Sequence, residues 1–290
     1  MDLLNTIRKI AKDRIIKVGI GIGKTRSQYR TIIEGIINYL TYNQAEIFLF
    51  GMDIEKKDFL NEEINTRSRF KLNFVNSQKP ESEMIDYLLN HKLDAIIRGG
   101  LSSNKFLEYL KKSLNMDEIN RLALLETVNG HQFFFGPVGI DECNEYDAKI
   151  TFLNGALSFI YSFNITPKVS ILSGGRNSDL GRDMIVDKTI KESEKIVKYF
   201  KAQFPNLVIT HDEILIEKAI SNKSNLILAP NGISGNLIYR TLVHLGGGKA
   251  YGAIYLALNH VIIDTSRVGK STEIEGALTL ANFLHSQMKT

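Results

Sequence analysis

The feature that most limits how this chain can fold is a regular change of period. Short runs rich in Val, Ile and Phe alternate with longer segments whose apolar residues recur at helical spacing. The first half reads IIKVGIG then YRTIIEGIINYL, AEIFLF, KLNFV then SEMIDYLLNHK, and LDAIIRG then NKFLEYLKKSL. The middle continues with ITFLNGALSFIYS, PKVSILSGG, DKTIKESEKIVKYFKAQF, NLVIT, EILIEKAI, SNLILAP and NLIYRTLVHL, and the chain closes on AYGAIYLA and HVIID. Parallel neighbours in a sheet need long crossovers, usually helices, so this alternation predicts an α/β protein built on mainly parallel sheets. With 290 residues, 43% of them hydrophobic, there is chain enough for two cores of common size. Low-complexity linkers and internal repeats are absent, so the expected domain boundary is a compact crossover near Asp141 to Glu145, after FFFGPVGID.

Several function classes are set aside at this level. A single cysteine, Cys143, cannot form an internal disulfide, and the N-terminal MDLLNTIRKIAKDRIIK has Leu3, Leu4, Ile7 and Ile10 at helical spacing instead of an unbroken apolar stretch. The first segment reads as a surface helix, and the expected location is the cytoplasm. The longest apolar stretch, AYGAIYLAL, is far shorter than the roughly 20 residues that cross a bilayer, so no membrane partner is expected. Net charge is +4, but the Lys and Arg residues are scattered among 32 acidic ones, which does not indicate nucleic acid and is compatible with a small anionic substrate.

Two segments imitate nucleotide-binding loops. A phosphate loop needs glycine five residues before the Gly of its GK pair, so that successive amides curl around phosphate. For Gly269 and Lys270 that position is Asp264, and for Gly23 and Lys24 it is Val18, so neither qualifies. The run VGIGIGK places Gly19, Gly21 and Gly23 in the GxGxG spacing of many S-adenosylmethionine methyltransferases, and Asp53 could serve a ribose. Those enzymes usually carry an acid before the first glycine, where this chain has Lys17 and Val18. The same glycines would also suit a strand pleated against a helix, and no S-adenosylmethionine is expected there.

Sites in parallel sheets form at the carboxyl ends of strands. Four loops qualify. GGLSSNK follows LDAIIR and carries Ser102, Ser103 and Asn104, which suit either a ligand or a plain helix cap. GGRNSDLGRD carries Arg176 and Arg182, a pair suited to an oxyanion unless Asp179 and Asp183 neutralise it. NGISGN has Gly232 and Gly235 just before a helix, a place that attracts anions. HVIID ends at Ser266 and Arg267, which either present chemistry at a strand mouth or merely end a strand, with Arg267 paired to Glu273 or Glu275.

The segment LILAPNGISGNLIYRTLVHLGGGKAYGAIYLALNHVIIDTSR resembles the C-terminal signature of phosphate acetyltransferases and phosphate butyryltransferases, including Gly235 and Asn236 opening a helix and the closing Ser-Arg. RGGLSSNKFL, with Arg98 before two hydroxyl residues, is similar to the butyryltransferase loop, although Asn104 and Lys105 stand where a second hydroxyl pair is usual. KVSILSGGRNSDLGRD is closer still to methanogenesis marker protein 4, catalogued as the methyltransferase MtxX family of methanogenic archaea. The resemblance implies two α/β/α domains in the phosphate acyltransferase or isopropylmalate dehydrogenase-like manner, 1–144 with 256–290 and an inserted 145–255, with the active site in the cleft and a homodimer as a possible state.

It also implies roles. Ser266 and Arg267 would hold an acyl phosphate, and Glu273, six positions on, would take the proton of a thiol such as coenzyme A. Arg98, Ser102, Ser103, Arg176, Gly235 and Asn236 would bind substrate, and no metal is implied. A thiol with a pKa near 8.5 is mostly protonated at neutral pH, so a carboxylate within reach helps form the attacking thiolate. Arg267 can grip two phosphate oxygens, and Ser266 can donate to the oxygen that gains charge. The same trio would suit thiolate attack on a methyl donor, with Arg267 on the sulfonate of coenzyme M, and a sensor that binds without turnover is the non-enzymatic alternative.

Overall fold

The computed structural model describes residues 2–10, 15–52 and 72–288; Asp53, the suggested ribose ligand, lies outside them. The strands are β1 (Ile16–Gly21), β2 (Ala45–Gly51), β3 (Leu72–Asn76), β4 (Ala95–Ile97), β5 (Arg121–Glu126), β6 (Gln132–Gly136), β7 (Lys168–Leu172), β8 (Val208–Glu213), β9 (Leu226–Leu228), β10 (Lys249–Tyr255) and β11 (Val261–Asp264). The helices are α1 (Leu3–Ile10), α2 (Arg26–Leu40), α3 (Pro80–Leu89), α4 (Ser103–Leu114), α5 (Tyr146–Tyr161), α6 (Met184–Gln203), α7 (Ile216–Ser221), α8 (Gly232–Arg240) and α9 (Ser271–Met288). Among the described residues no helix is long and apolar enough to cross a membrane.

Contacts divide the chain into two compact units, one of Leu4–Ile119 with Ala250–Thr290 and the other of Asn120–Lys249 with Met1–Leu3. In the first unit the strands stand in the order β3-β2-β1-β4-β11-β10. All neighbours are parallel except β10 and β11. β4 is a run of three fully buried apolar residues, as a central parallel strand should be. Helix α9 packs on α2 and on β11, β4 and β1 of this sheet, while α3 and α4 close a core of Phe50, Met84, Ile96, Phe106 and Leu110. The return of the chain's end is therefore structural: β11 inserts beside β4, with Ile262 opposite Ile96.

The second unit orders its strands β5-β6-β9-β7-β8, and here lies a difference from the sequence expectation. β5 and β6 form an antiparallel hairpin turning at Asn129 and Gly130, where Gly130 has φ +78. The alternation of strand and helix passes over this pair, because a hairpin has no crossover to mark it. β6 then pairs in parallel with β9, so the hairpin belongs with the later strands. The division consequently falls at Asn120 and Ala250, upstream of the expected 145 and 256. Phe134, Phe159 and Phe163 stack edge and face to fill this unit's core.

Candidate functional site

β11 brings the SR dipeptide to the carboxyl edge of the first unit's sheet. Asp264 and Thr265 are buried, Ser266 is half-buried, and Arg267, Val268 and Lys270 are exposed. The turn that follows is built around Glu273, which is 4% exposed although it carries a carboxylate. Its Oε1 accepts the Ser266 backbone N–H at 2.9 Å, and the Val268 N–H donates to the Ser266 hydroxyl at 3.3 Å. Gly269 donates its N–H to the Ser266 carbonyl, and a Cβ there would sit 1.9 Å from Glu273 Oε2. The glycine of the false GKS motif is thus what lets the carboxylate tuck under the turn. Glu275 pairs with Arg8 at 2.5 Å, and neither Arg267 nor Lys270 has an ion-pair partner among the described residues.

A small hollow, open to solvent, lies here, lined by Ser266, Arg267, Lys270, Glu273, Gly99 and Gln28 among others. The floor comes from the turn after β4. Gly99 has φ +59, Gly100 donates to the Gly21 carbonyl at 2.8 Å, and a Cβ on Gly100 would lie 2.3 Å from the Gly23 nitrogen. Gly21 faces Leu101 and the Arg98 carbonyl in the same way. Gly21 and Gly23 therefore serve the close approach of two turns, while Gly19 makes room for the side chains of Leu93, Phe50 and Ile96. Several amide donors here are already committed. Lys24 and Thr25 N–H both reach Gln28 Oε1, the Gln28 N–H reaches the Thr25 hydroxyl, and the Ser102 N–H reaches Glu81. The side chains that can meet an anion here are the Ser266 hydroxyl and the cations Arg267 and Lys270.

Arg98, expected to bind substrate, has its guanidinium held by protein acceptors. It is 5% exposed; its guanidinium donates to Asp264, to the carbonyls of Gly99 and Thr265, and to that of Leu101 at 2.7 Å. Arg98 thereby ties the ends of β4 and β11 together, which positions the SR turn. Ser102 caps α4 by place without a side-chain cap bond, and Ser103 begins the helix; both are half-buried. Gln28 was not singled out from sequence. Its side chain closes the α2 capping box and donates from Nε2 to the Arg267 carbonyl at 3.4 Å, and the spacing Thr25-x-x-Gln28 was the signal for it.

The other three expected substrate ligands belong to the second unit. Gly235 allows α8 to approach the 137–139 turn, since a Cβ would lie 1.9 Å from the Pro137 carbonyl oxygen. Asn236 donates its side-chain amide to the Val138 carbonyl at 2.8 Å. Gly235 thus serves packing, and the Asn236 amide N–H serves the 137–139 turn. Arg176 is exposed on the GGRNSDLGRD turn, where its own N–H donates to Asp179 and holds that carboxyl below its ordinary range, helped by Arg182 at 2.5 Å. Nearby, the buried Ser173 hydroxyl donates to the Gly175 carbonyl and meets His211 Nε2 at 2.8 Å. That Ser–His pair orders the turn and has no exposed nucleophile, Ser173 being 1% exposed. Among the described residues no group of three or more His, Cys, Asp or Glu suits a metal ion.

No protein-family model matches the chain. A protein of Methanosarcina mazei named "Putative methyltransferase mtx subunit X" is 39% identical over 267 residues, 92% of this chain and 90% of that protein. One of the same name in Methanosarcina acetivorans is 37% identical over 99% of this chain and 98% of its own. Among solved structures, a phosphotransacetylase from Streptococcus pyogenes aligns with a TM-score of 0.70 at 14% identity over 99% of this chain and all of its own. A branched-chain phosphotransacylase from Enterococcus faecalis aligns at 0.66 and 15% identity, covering 93% of this chain and 99% of that one. At such identities the likeness establishes a shared fold.

Proposed function

The chain belongs to the mtx subunit X family of methanogenic archaea, and from that premise we propose that it is a transferase moving a small acyl group between phosphate and a thiol cofactor such as coenzyme A. The observation that carries this reading is that Arg267 and Lys270, beside the Ser266 hydroxyl, have no ion-pair partner among the described residues, with a carboxylate lining the same hollow. In the forward direction Arg267 holds phosphate oxygens of the acyl phosphate while Glu273 accepts the thiol proton. The thiolate forms a bond to the carbonyl carbon, the bond from that carbon to the phosphate oxygen breaks, and phosphate leaves with its electron pair. Ser266 donates to the carbonyl oxygen as it gains charge. The fold shared with phosphotransacetylases supports this assignment. We place the reaction in the cytoplasm, with a small anionic substrate, no nucleic acid and no metal.

The relatives' name favours a second reading, methyl transfer to a thiol such as coenzyme M, in which Arg267 would hold the sulfonate. Exchange of labelled phosphate into acetyl, propionyl or butyryl phosphate, with coenzyme A present, separates the two. Label exchange is expected; its absence, together with thioether formation on coenzyme M, would transfer the assignment to the second reading. Binding of acyl phosphate with neither reaction would make the protein a sensor.

A further inference from the structure

Lys270 stands where a helix start disfavours it. It immediately precedes Ser271, the first residue of α9, and its carbonyl accepts the Glu273 N–H at 3.0 Å. Asn, Asp, Ser and Thr are the residues that cap such a start, and the positive end of the helix dipole repels a cation there. Arg267 adds a second positive charge on the same turn. Like charges on one turn repel, and no carboxylate among the described residues pairs with either. Glu273, the acid that lines the hollow with them, is buried and accepts the Ser266 N–H. Local structure therefore gives no account of a lysine at this position, whereas an anion in the hollow does.

We propose that Lys270 is a catalytic residue, the proton donor to the departing phosphate; the inference rests on the acyl-transfer reading and completes its proton balance. When a thiolate displaces phosphate from an acyl phosphate dianion, the carbon–oxygen bond breaks toward oxygen, and phosphate without a new proton would leave as the fully ionised trianion. The thiol's proton, taken by Glu273, is not on the oxygen that needs one. Lys270, on the same hollow, supplies it. An ammonium N–H bond breaks, an O–H bond forms on the oxygen released by carbon, and hydrogen phosphate leaves. Lys270 is then neutral and Glu273 protonated, and exchange with water, to which the hollow is open, restores both. In the reverse direction neutral Lys270 takes the proton of hydrogen phosphate, and protonated Glu273 returns one to the thiolate. A guanidinium does not give up its proton in proteins, so the two cations have separate roles: Arg267 grips and Lys270 donates.

Exchange of labelled phosphate into acetyl, propionyl or butyryl phosphate, with coenzyme A present, tests this in variants of the full chain. Lys270→Arg should keep the affinity for inorganic phosphate measured by calorimetric titration and lose exchange about 100-fold or more. Lys270→Ala should lose exchange to a similar extent and recover it with added primary amines, in an order set by their basicity, which a lysine supplying only charge or packing would not show. Lys270→Asn, a better cap, should melt above the wild type while losing exchange, so that misfolding does not account for the loss. Wild-type exchange in Lys270→Arg, or no amine rescue in Lys270→Ala, would overturn the donor role and leave the acyl-transfer reading standing. No exchange by the wild type itself would remove that reading, and the donor role with it.

Discussion

At the scale of single residues, Glu273 carries two jobs that substitution can pull apart. Its Oε1 accepts the Ser266 N–H, a role that a glutamine oxygen fills equally well, while proton removal requires the carboxylate. Glu273→Gln should therefore keep the unfolding free energy in urea within about 1 kcal/mol of wild type and lose turnover, whereas Glu273→Ala should also lose about 1–3 kcal/mol because the Ser266 N–H loses its acceptor. Normal turnover in the glutamine variant would remove Glu273 as base and leave it as the clasp of the turn. Arg267 is exposed and carries no internal ion pair among the described residues, so Arg267→Ala should leave stability within about 0.5 kcal/mol while weakening phosphate binding roughly 10-fold or more. Calorimetric titration with inorganic phosphate measures it, and undiminished affinity would exclude the clamp.

At the scale of elements, the site is a meeting of three turns, each preceding a helix. The turns after β1 and β4 meet backbone to backbone at Gly100, so Gly100→Ala has no flexible neighbour to displace: its Cβ would meet the Gly23 nitrogen at 2.3 Å and Cα at 2.5 Å. A loss of about 2–4 kcal/mol is expected by thermal or urea unfolding, and a neutral result would mean the two turns separate freely. Helix α2 is begun by a reciprocal cap between Thr25 and Gln28, and Gln28 also reaches the Arg267 carbonyl. Gln28→Ala should cost about 1 kcal/mol of stability. It should also perturb the NMR signals of Ser266 and Arg267, which a cap acting on α2 alone would not do.

At the scale of the whole molecule, three histidines set a pH dependence. Burial holds His131, His211 and His260 below their ordinary value of 6.5. The folded chain therefore stays deprotonated where the unfolded chain has begun to bind protons, and stability is lost as pH falls from about 6.5 through the lower folded values. Glu142, raised by burial despite its pairing with Arg121, works in the opposite sense above 4.5. The melting temperature should drop between pH 7.5 and 5.5, and His211→Asn should shallow that slope; an identical slope would remove His211 from the account.

What the chain's order of residues determined alone is whatever depends on near neighbours. The period of apolar residues specifies strand or helix, so the α/β class and the emergence of Ser266 and Arg267 from a buried strand were legible, as was a capping box at Thr25 and Gln28. The β5–β6 hairpin was equally local, announced by Asn129 and Gly130, but its membership was not, because that rests on β6 lying beside β9. Long-range neighbours also decided which polar residues were left for chemistry. Arg98 reads as an anion ligand until β11, 166 residues on, sets Asp264 beside it and consumes the guanidinium. Asn236 and Gly235 likewise look like ligands until the 137–139 turn arrives against α8. Periodicity records which face of an element is buried, whereas the partner that satisfies a buried donor is supplied by sheet order, and only the folded chain establishes that order.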